Sequence, residues 1–258
     1  MCIALYARLW VFADILVRML EITLISILTL VASAVGTVTG FGTSTIMIPA
    51  LLFYYPLPQT LLLVGIIHFA GNIWKMLFFK RGLEWKILLL FGIPSIIAAY
   101  LGATLTSAFD EEFLQRILGV VLLLYTLFLF FRPSWRIRPT KTMAVTGGVA
   151  SGFLAGMFGV GGAVRGAFLR AFDLSKESFI FTAAAIALVT DSTRLITYTI
   201  DQINLSALLW YGMAIFLPVS LLGSWIGQKI VRHATERTFR MVVTVFLGLS
   251  ALKFLLFP

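Results

Sequence analysis

Long apolar stretches separated by short polar loops run along the whole chain. Residues 22–79 contain one formal charge, at Lys75, and the stretches 87–109, 142–164 and 202–228 contain none. The hydrocarbon core of a bilayer is about 30 Å thick, so a helix needs about 20 mostly apolar residues to cross it. This pattern predicts an all-α polytopic membrane protein.

Charges and turn signals separate ten apolar segments, and six of them are long enough to span a bilayer. The other four are short and form two pairs, one broken at Gly40-Phe41-Gly42 and the other at Gly159-Val160-Gly161-Gly162. We expect each pair to enter the membrane and return to the same side. In order, the ten segments are 22–39, 44–55, 58–79, 87–106, 113–131, 142–158, 162–172, 178–200, 203–228 and 239–257.

The N-terminal segment, residues 1–21, is apolar but interrupted by Arg8, Asp14 and Arg18. It lacks the leading positive region and the small-residue cleavage site of a signal peptide. We interpret it as an interfacial amphipathic helix, with an additional membrane helix as the alternative.

The chain also matches itself at polar and glycine positions when it is shifted by 119 residues. Four pairs share this shift: Gly40 with Gly159, Gly42 with Gly161, Asn72 with Asp191, and Lys75 with Arg194. A constant shift over several pairs indicates an internal repeat. It divides the chain into a first transmembrane repeat at 22–131, a basic linker at 132–141 and a second transmembrane repeat at 142–258.

The charges of the loops predict the orientation of the two repeats. Basic residues are concentrated in three loops, which the positive-inside rule places in the cytoplasm: 80–86, 132–141 and 229–240. The loops expected outside contain no basic residue: 54–59, 107–112 and 200–204. Loops at equivalent repeat positions therefore fall on opposite sides. We expect two inverted-topology repeats, each a glycine-broken re-entrant helix pair followed by three transmembrane helices.

The two glycine turns are candidate anion sites, because a broken helix offers free backbone N–H groups and a positive helix N-terminus. Thr43 and Ser44 follow the first turn and can donate hydrogen bonds, while Arg165 follows Gly162 by three residues. Two alternatives remain open at this stage. The glycines could serve only close helix packing, and Arg165 could extend to the cytoplasmic interface.

Polar residues within the long apolar helices are the other candidates. Asn72 and Lys75 form one i,i+3 pair, and Asp191 and Arg194 form the equivalent pair in the second repeat. His68, one turn before Asn72, is a candidate for proton coupling. The alternatives are a Lys75 side chain that reaches the interface, a structural Asp191–Arg194 ion pair, and a histidine that is merely hydrogen-bonded between helices.

Composition narrows the class of protein. Of 258 residues, 60% are hydrophobic and 12% are charged, about half the ~25% usual in soluble domains. A soluble enzyme and a nucleic-acid-binding protein are therefore excluded, and the net charge of +9 reflects cytoplasmic loops. The single cysteine, Cys2, excludes a disulfide framework and a cysteine-based metal site. The sequence predicts no cofactor and no metal.

Each repeat opens with a glycine-rich motif: Gly36-x-x-x-Gly40-Phe41-Gly42-Thr43 in the first and Gly156-x-x-Gly159-Val160-Gly161-Gly162 in the second. In these motifs the chain resembles the sulfite exporter TauE/SafE family over about residues 22–257. The resemblance implies a bacterial membrane protein that moves sulfur-containing organic and inorganic anions, with its site at the two turns. The chain departs from the family pattern at Thr43-Ser44, at Arg165 and at Phe168, where the first repeat has Pro49.

The function expected is that of a secondary transporter, and specifically an exporter, of small sulfur-containing anions such as sulfite or organosulfonates. It would act by alternating access in the bacterial inner membrane, with the bilayer and the anion as its partners and protons as candidate coupling ions. A passive anion channel is the alternative. An intramembrane enzyme is disfavoured because Asp191 is the only mid-membrane carboxylate and His68 has no companion, so no catalytic residue is predicted.

Overall fold

The structure is a computed structural model that describes residues 2–40, 42–79, 82–131, 139–230 and 236–257. This part of the chain folds into ten α-helices, a single 3-10 turn and connecting loops, without a strand. The helices are α1 Cys2–Thr39, α2 Ser44–Leu51, α3 Leu57–Phe78, α4 Trp85–Thr106, α5 Glu111–Phe131, α6 Lys141–Phe158, α7 Gly161–Leu169, α8 Lys176–Ile200, α9 Ala207–Ile230 and α10 Glu236–Leu256, with the 3-10 turn at Arg170–Phe172. The predicted all-α fold is confirmed.

The N-terminal helix differs from the prediction. Residues 2–39 form one continuous helix of 38 residues, with no helix end near residue 21. No glycine or proline occurs before Gly36, so nothing in the sequence breaks the helix. Asp14 and Arg18, which suggested a boundary, form an i,i+4 ion pair of 2.8 Å that is compatible with it.

Within the described part of the chain, five helices are long and apolar enough to cross a membrane: Phe12–Thr39, Leu57–Phe78, Trp85–Thr106, Lys176–Ile200 and Ala207–Ile230. A shorter apolar helix covers Thr244–Leu256. Many large apolar side chains on these helices are exposed, for example Ile97, Leu222 and Leu249, as expected for surfaces that face lipid. The chain is a multi-pass membrane protein.

The helices of the two halves pack in reciprocal pairs. At the centre α3 contacts α8, while α4 packs closely on α6, α9 packs on α1, and α5 packs on α10. Glycines permit the close approaches: an added Cβ would lie 2.2 Å from the Ser95 carbonyl oxygen at Gly152 and 2.5 Å from the Leu30 carbonyl oxygen at Gly223. These two glycines therefore serve helix packing, as small residues do between membrane helices.

One end of the molecule collects the loops that the charge pattern predicts to be external. The backbone N–H of Leu57, at the start of α3, donates to the Glu111 carboxylate at 2.6 Å. Ser107, in the loop that leads to Glu111, donates to the Asp201 carboxylate beyond α8, also at 2.6 Å. The start of α3 and the end of α8 therefore lie at the same end of the molecule.

The opposite end collects loops that the charge pattern predicts to be cytoplasmic. The backbone N–H of Glu84, after α3, donates to Thr182 Oγ1 near the start of α8 at 3.2 Å. Residues of the loops 82–86, 139–141 and 173–175 line a common pocket there. The equivalent helices α3 and α8 consequently run antiparallel to each other.

Contacts at their ends locate the two short helices α2 and α7 in the bundle. Tyr55, just after α2, donates a hydrogen bond to Glu21, near the middle of α1. In the second half, the chain that leaves α7 reaches residues 173–175, beside the 139–141 loop where α6 starts.

Burial and the neighbouring Glu21 carboxylate raise the pKa of the Tyr55 hydroxyl.

Candidate functional site

A cluster of buried polar side chains lies where α3 meets α8. His68, Asn72 and Lys75 share one face of α3 through their i, i+4 and i+7 spacing, and Asp191 and Arg194 face them from α8. Each of the five is at most 4% exposed. We call these five residues the central cluster.

Asp191 is the common hydrogen-bond acceptor of the central cluster. Its Oδ2 lies 2.7 Å from His68 Nδ1 and accepts a hydrogen bond of 3.1 Å from Asn72 Nδ2. Its Oδ1 accepts from Arg194 Nε at 2.9 Å, and Lys75 Nζ donates to Asn72 Oδ1 at 3.2 Å. Asn72 and Asp191 are the residues that the repeat aligns, and they meet directly across the interface between the halves.

Three of the alternatives from the sequence can be compared with these contacts. Lys75 is buried and bonded to Asn72 rather than extended to a membrane surface. Arg194 does form an ion pair with Asp191, and His68 is hydrogen-bonded between two helices. The last two contacts give these side chains a structural role.

Arg165 of α7 is the remaining cation of this region. Its side chain is 3% exposed and its Nε has no hydrogen-bond partner. Together with Asn72, Lys75, Gly40 and Gly42 it lines a narrow cavity, which has room for about one water molecule. Arg165 is therefore inside the protein and not at its surface.

The charges around the cavity do not balance. Lys75, Arg165 and Arg194 bring three cations, and among the described residues Asp191 is the one carboxylate that faces them. Two positive charges are left without a counter-ion when His68 is neutral. Because uncompensated charge is costly in a buried site, this arrangement favours binding of an anion.

The first glycine turn forms one wall of the cavity. Gly40 and Gly42 have φ angles of +74° and +85°, a left-handed conformation that favours glycine. Space is also restricted, because an added Cβ would lie 2.5 Å from the Phe179 ring at Gly40 and 2.5 Å from His68 Nε2 at Gly42. Thr43 and Ser44 follow as buried residues outside the cavity lining, and Thr43 Oγ1 has no hydrogen-bond partner.

The second glycine turn lies on the other side of the central cluster. Gly159 ends α6 with a φ of +68°, and an added Cβ there would lie 2.9 Å from Arg194 Nη1. Gly161 and Gly162 open α7 as buried residues, with the Gly161 carbonyl accepting from Ser151 Oγ at 3.0 Å. None of these three glycines lines the cavity beside the first turn. The second turn therefore contacts Arg194, whereas the first turn shares its cavity with Lys75 and Arg165.

Sequence reasoning missed Tyr198, which is fully buried one turn after Arg194. Its hydroxyl donates to the carbonyl oxygen of Gly156 on α6. It also missed Thr37 and Ile180, which line the cavity. The i+4 spacing from Arg194 was a usable signal for Tyr198, whereas neither Thr37 nor Ile180 stands out from its neighbours in the sequence.

A multi-pass helical protein with broken helices and a buried, positively charged cluster has the architecture of a membrane transporter. Comparison with known proteins agrees, since the model of the sulfite exporter TauE/SafE family matches residues 25–254. The chain belongs to this family, which confirms the resemblance seen in the glycine motifs.

A relative from an archaeon is consistent with this class. A protein of Methanocaldococcus jannaschii, named as a probable membrane transporter protein, is 25% identical over 266 residues, covering 92% of this chain and 97% of the relative. No solved structure matches the chain. The protein is thus a membrane transporter and not an enzyme.

Proposed function

We propose that this protein is a secondary transporter that exports small sulfur-containing anions, such as sulfite or organosulfonates, across the inner membrane of a bacterial cell. The observation that carries the proposal is the pair of uncompensated positive charges beside the narrow cavity. Arg165 and Lys75 face the cavity directly, and the Gly40 and Gly42 turn forms its wall. Cationic side chains such as these form charge-assisted hydrogen bonds with an oxyanion.

Alternating access is supported by the antiparallel relation of α3 and α8 and by the reciprocal packing of the two halves. We interpret α1–α2 and α6–α7 as the re-entrant pairs of two inverted repeats, whose rocking would expose the central cluster to one side and then the other. The cavity beside the central cluster has room for about one water molecule, so anion binding in a carrier would require the two halves to move apart.

Ligand-induced stabilisation tests the substrate class. We expect sulfite and small organosulfonates to raise the thermal unfolding midpoint of the purified protein, because a ligand that binds only the folded state stabilises it by an amount that grows with its concentration relative to its Kd. Choline and a neutral sugar serve as controls and should have no effect. Stabilisation by a control compound but not by any sulfur oxyanion would contradict the proposal.

Cysteine labelling tests the topology, in a background where Cys2 is replaced by serine. Ala108→Cys lies between α4 and α5, and Lys141→Cys lies at the start of α6; both positions are exposed. We expect a membrane-impermeant maleimide to label Ala108→Cys in intact cells and Lys141→Cys only after permeabilisation. Labelling of both positions in intact cells would contradict the inverted arrangement.

A further inference from the structure

We propose that His68 is the proton-binding residue of the transporter and that one proton binds together with each anion. The inference rests on the proposed anion transport and adds to it the coupling ion, the atom that carries the proton and the stoichiometry. It is carried by the orientation of the imidazole ring between Asp191 and the first glycine turn.

The contact with Asp191 determines which ring nitrogen of His68 carries a hydrogen and which can accept a proton. The Asp191 carboxylate accepts hydrogen bonds from Asn72 and Arg194, so it acts as an ionised acceptor. His68 Nδ1 lies 2.7 Å from it and must carry the hydrogen of that contact. In the neutral imidazole the lone pair is then on Nε2.

His68 Nε2 is buried and has no hydrogen-bond partner. It points at Gly42, where an added Cβ would lie 2.5 Å from it, and Gly42 lines the cavity with Arg165 and Lys75. A buried acceptor without a partner is costly. His68 does not itself line the cavity, so protonation of Nε2 places a positive charge directly behind the glycine turn that forms the cavity wall.

The charges around His68 make its protonation depend on the anion. From its own helix α3 it faces Lys75, and from α8 it faces Asp191 and Arg194. Arg165 of α7 lines the cavity on the other side of the glycine turn, and among the described residues α1, α2 and α9 bring no charged side chain to His68. Two cations against one carboxylate oppose a further positive charge. An anion in the cavity supplies the missing negative charge, so the anion and the proton bind cooperatively, and by linkage each strengthens the other equally.

The proton balance is simple. A proton leaves bulk water and forms the Nε2–H bond as the anion binds, and the imidazolium charge attracts the anion across the glycine turn. On release to the other side the N–H bond breaks and the proton returns to water with the anion. No other bond changes, so the step is a linked transfer of one proton and one anion.

The test uses methanesulfonate, which has no titratable proton of its own, so any proton taken up belongs to the protein. Binding to the purified protein is followed by calorimetry from about pH 5 to pH 8, a range that includes the ordinary imidazole pKa, and proton uptake is followed with an indicator in weak buffer. Between the pKa of the free imidazole and that of the anion-bound imidazole, we expect about one proton per bound anion and a Kd that weakens about tenfold per pH unit.

Variants assign the proton to His68. His68→Gln should bind without proton uptake and with a Kd that is nearly independent of pH, whereas His233→Gln, at the other histidine of the chain, should behave as the wild type. Binding by the wild type without proton uptake would overturn the inference even if His68→Gln did not fold, and would leave the proposed transport intact. Proton uptake by His68→Gln equal to that of the wild type would also overturn it. Failure of every sulfur oxyanion to bind would overturn both proposals.

Discussion

Asp191→Ala is expected to lower the free energy of unfolding by about 3–5 kcal/mol, the range measured when one partner of a buried ion pair is removed. The carboxylate is the common acceptor for His68, Asn72 and Arg194. Its removal takes the shared carboxylate acceptor from those donors and adds one more uncompensated positive charge to a site that already has two. Thermal unfolding in detergent, or the yield of folded protein, measures the loss.

A matched control separates this effect from the general loss of an acidic side chain. Glu112 pairs with Arg116 at 2.6 Å in an exposed i,i+4 contact at the start of α5, so Glu112→Ala should cost less than about 1 kcal/mol. The double variant Asp191→Ala with Arg194→Ala should recover part of the loss, because the unpaired guanidinium is also removed. If Asp191→Ala and Glu112→Ala were equally stable, the Asp191 carboxylate would not stabilise the central cluster.

Arg165→Ala is expected to weaken anion binding by roughly ten- to a hundredfold or more, since a hydrogen bond to a charged group is worth about 1.5–3 kcal/mol. Arg165→Lys should retain folding and net charge and still lose affinity. The planar guanidinium presents two parallel N–H groups to two oxygens of a sulfonate or sulfite, whereas an ammonium group is a point charge. Calorimetry with methanesulfonate and sulfite measures both variants.

The control for Arg165 is the neighbouring arginine Arg170, in the 3-10 turn after α7. Arg170 is partly exposed and does not line the cavity, so Arg170→Ala should change affinity little. Wild-type affinity and transport in Arg165→Ala would rule out the proposed role. The anion would then have to be held by Lys75 and the backbone of the first glycine turn.

Much of the fold follows from features that are local in sequence. Apolar runs bounded by charges, glycines or turns place most helix ends within a few residues, because a membrane helix needs a fixed apolar length. The exception is α1, where Asp14 and Arg18 resemble a boundary in sequence but pair along one helix. Whether a charged pair interrupts a helix depends on its spacing and not on its charge.

The repeat alignment pointed to the most informative contact of the site, since it equates Asn72 of α3 with Asp191 of α8. Here Asn72 Nδ2 and Asp191 Oδ2 are 3.1 Å apart, at the interface between α3 and α8. The surroundings of the two glycine turns could not be predicted from the repeat alignment. The first turn lines the cavity and the second contacts Arg194, a difference set by how α2 and α7 pack against α3 and α8.

Exchange in proteoliposomes tests the central claim, that the protein moves small sulfur-containing anions by alternating access. Radiolabelled sulfite is added outside vesicles that contain the purified protein, with or without unlabelled sulfite inside. We predict saturable uptake that is accelerated by the internal anion and competed by methanesulfonate, since a carrier that returns loaded reorients faster than one that returns empty. The account would be contradicted if the vesicles took up choline or a neutral sugar while their sulfite uptake equalled that of protein-free vesicles.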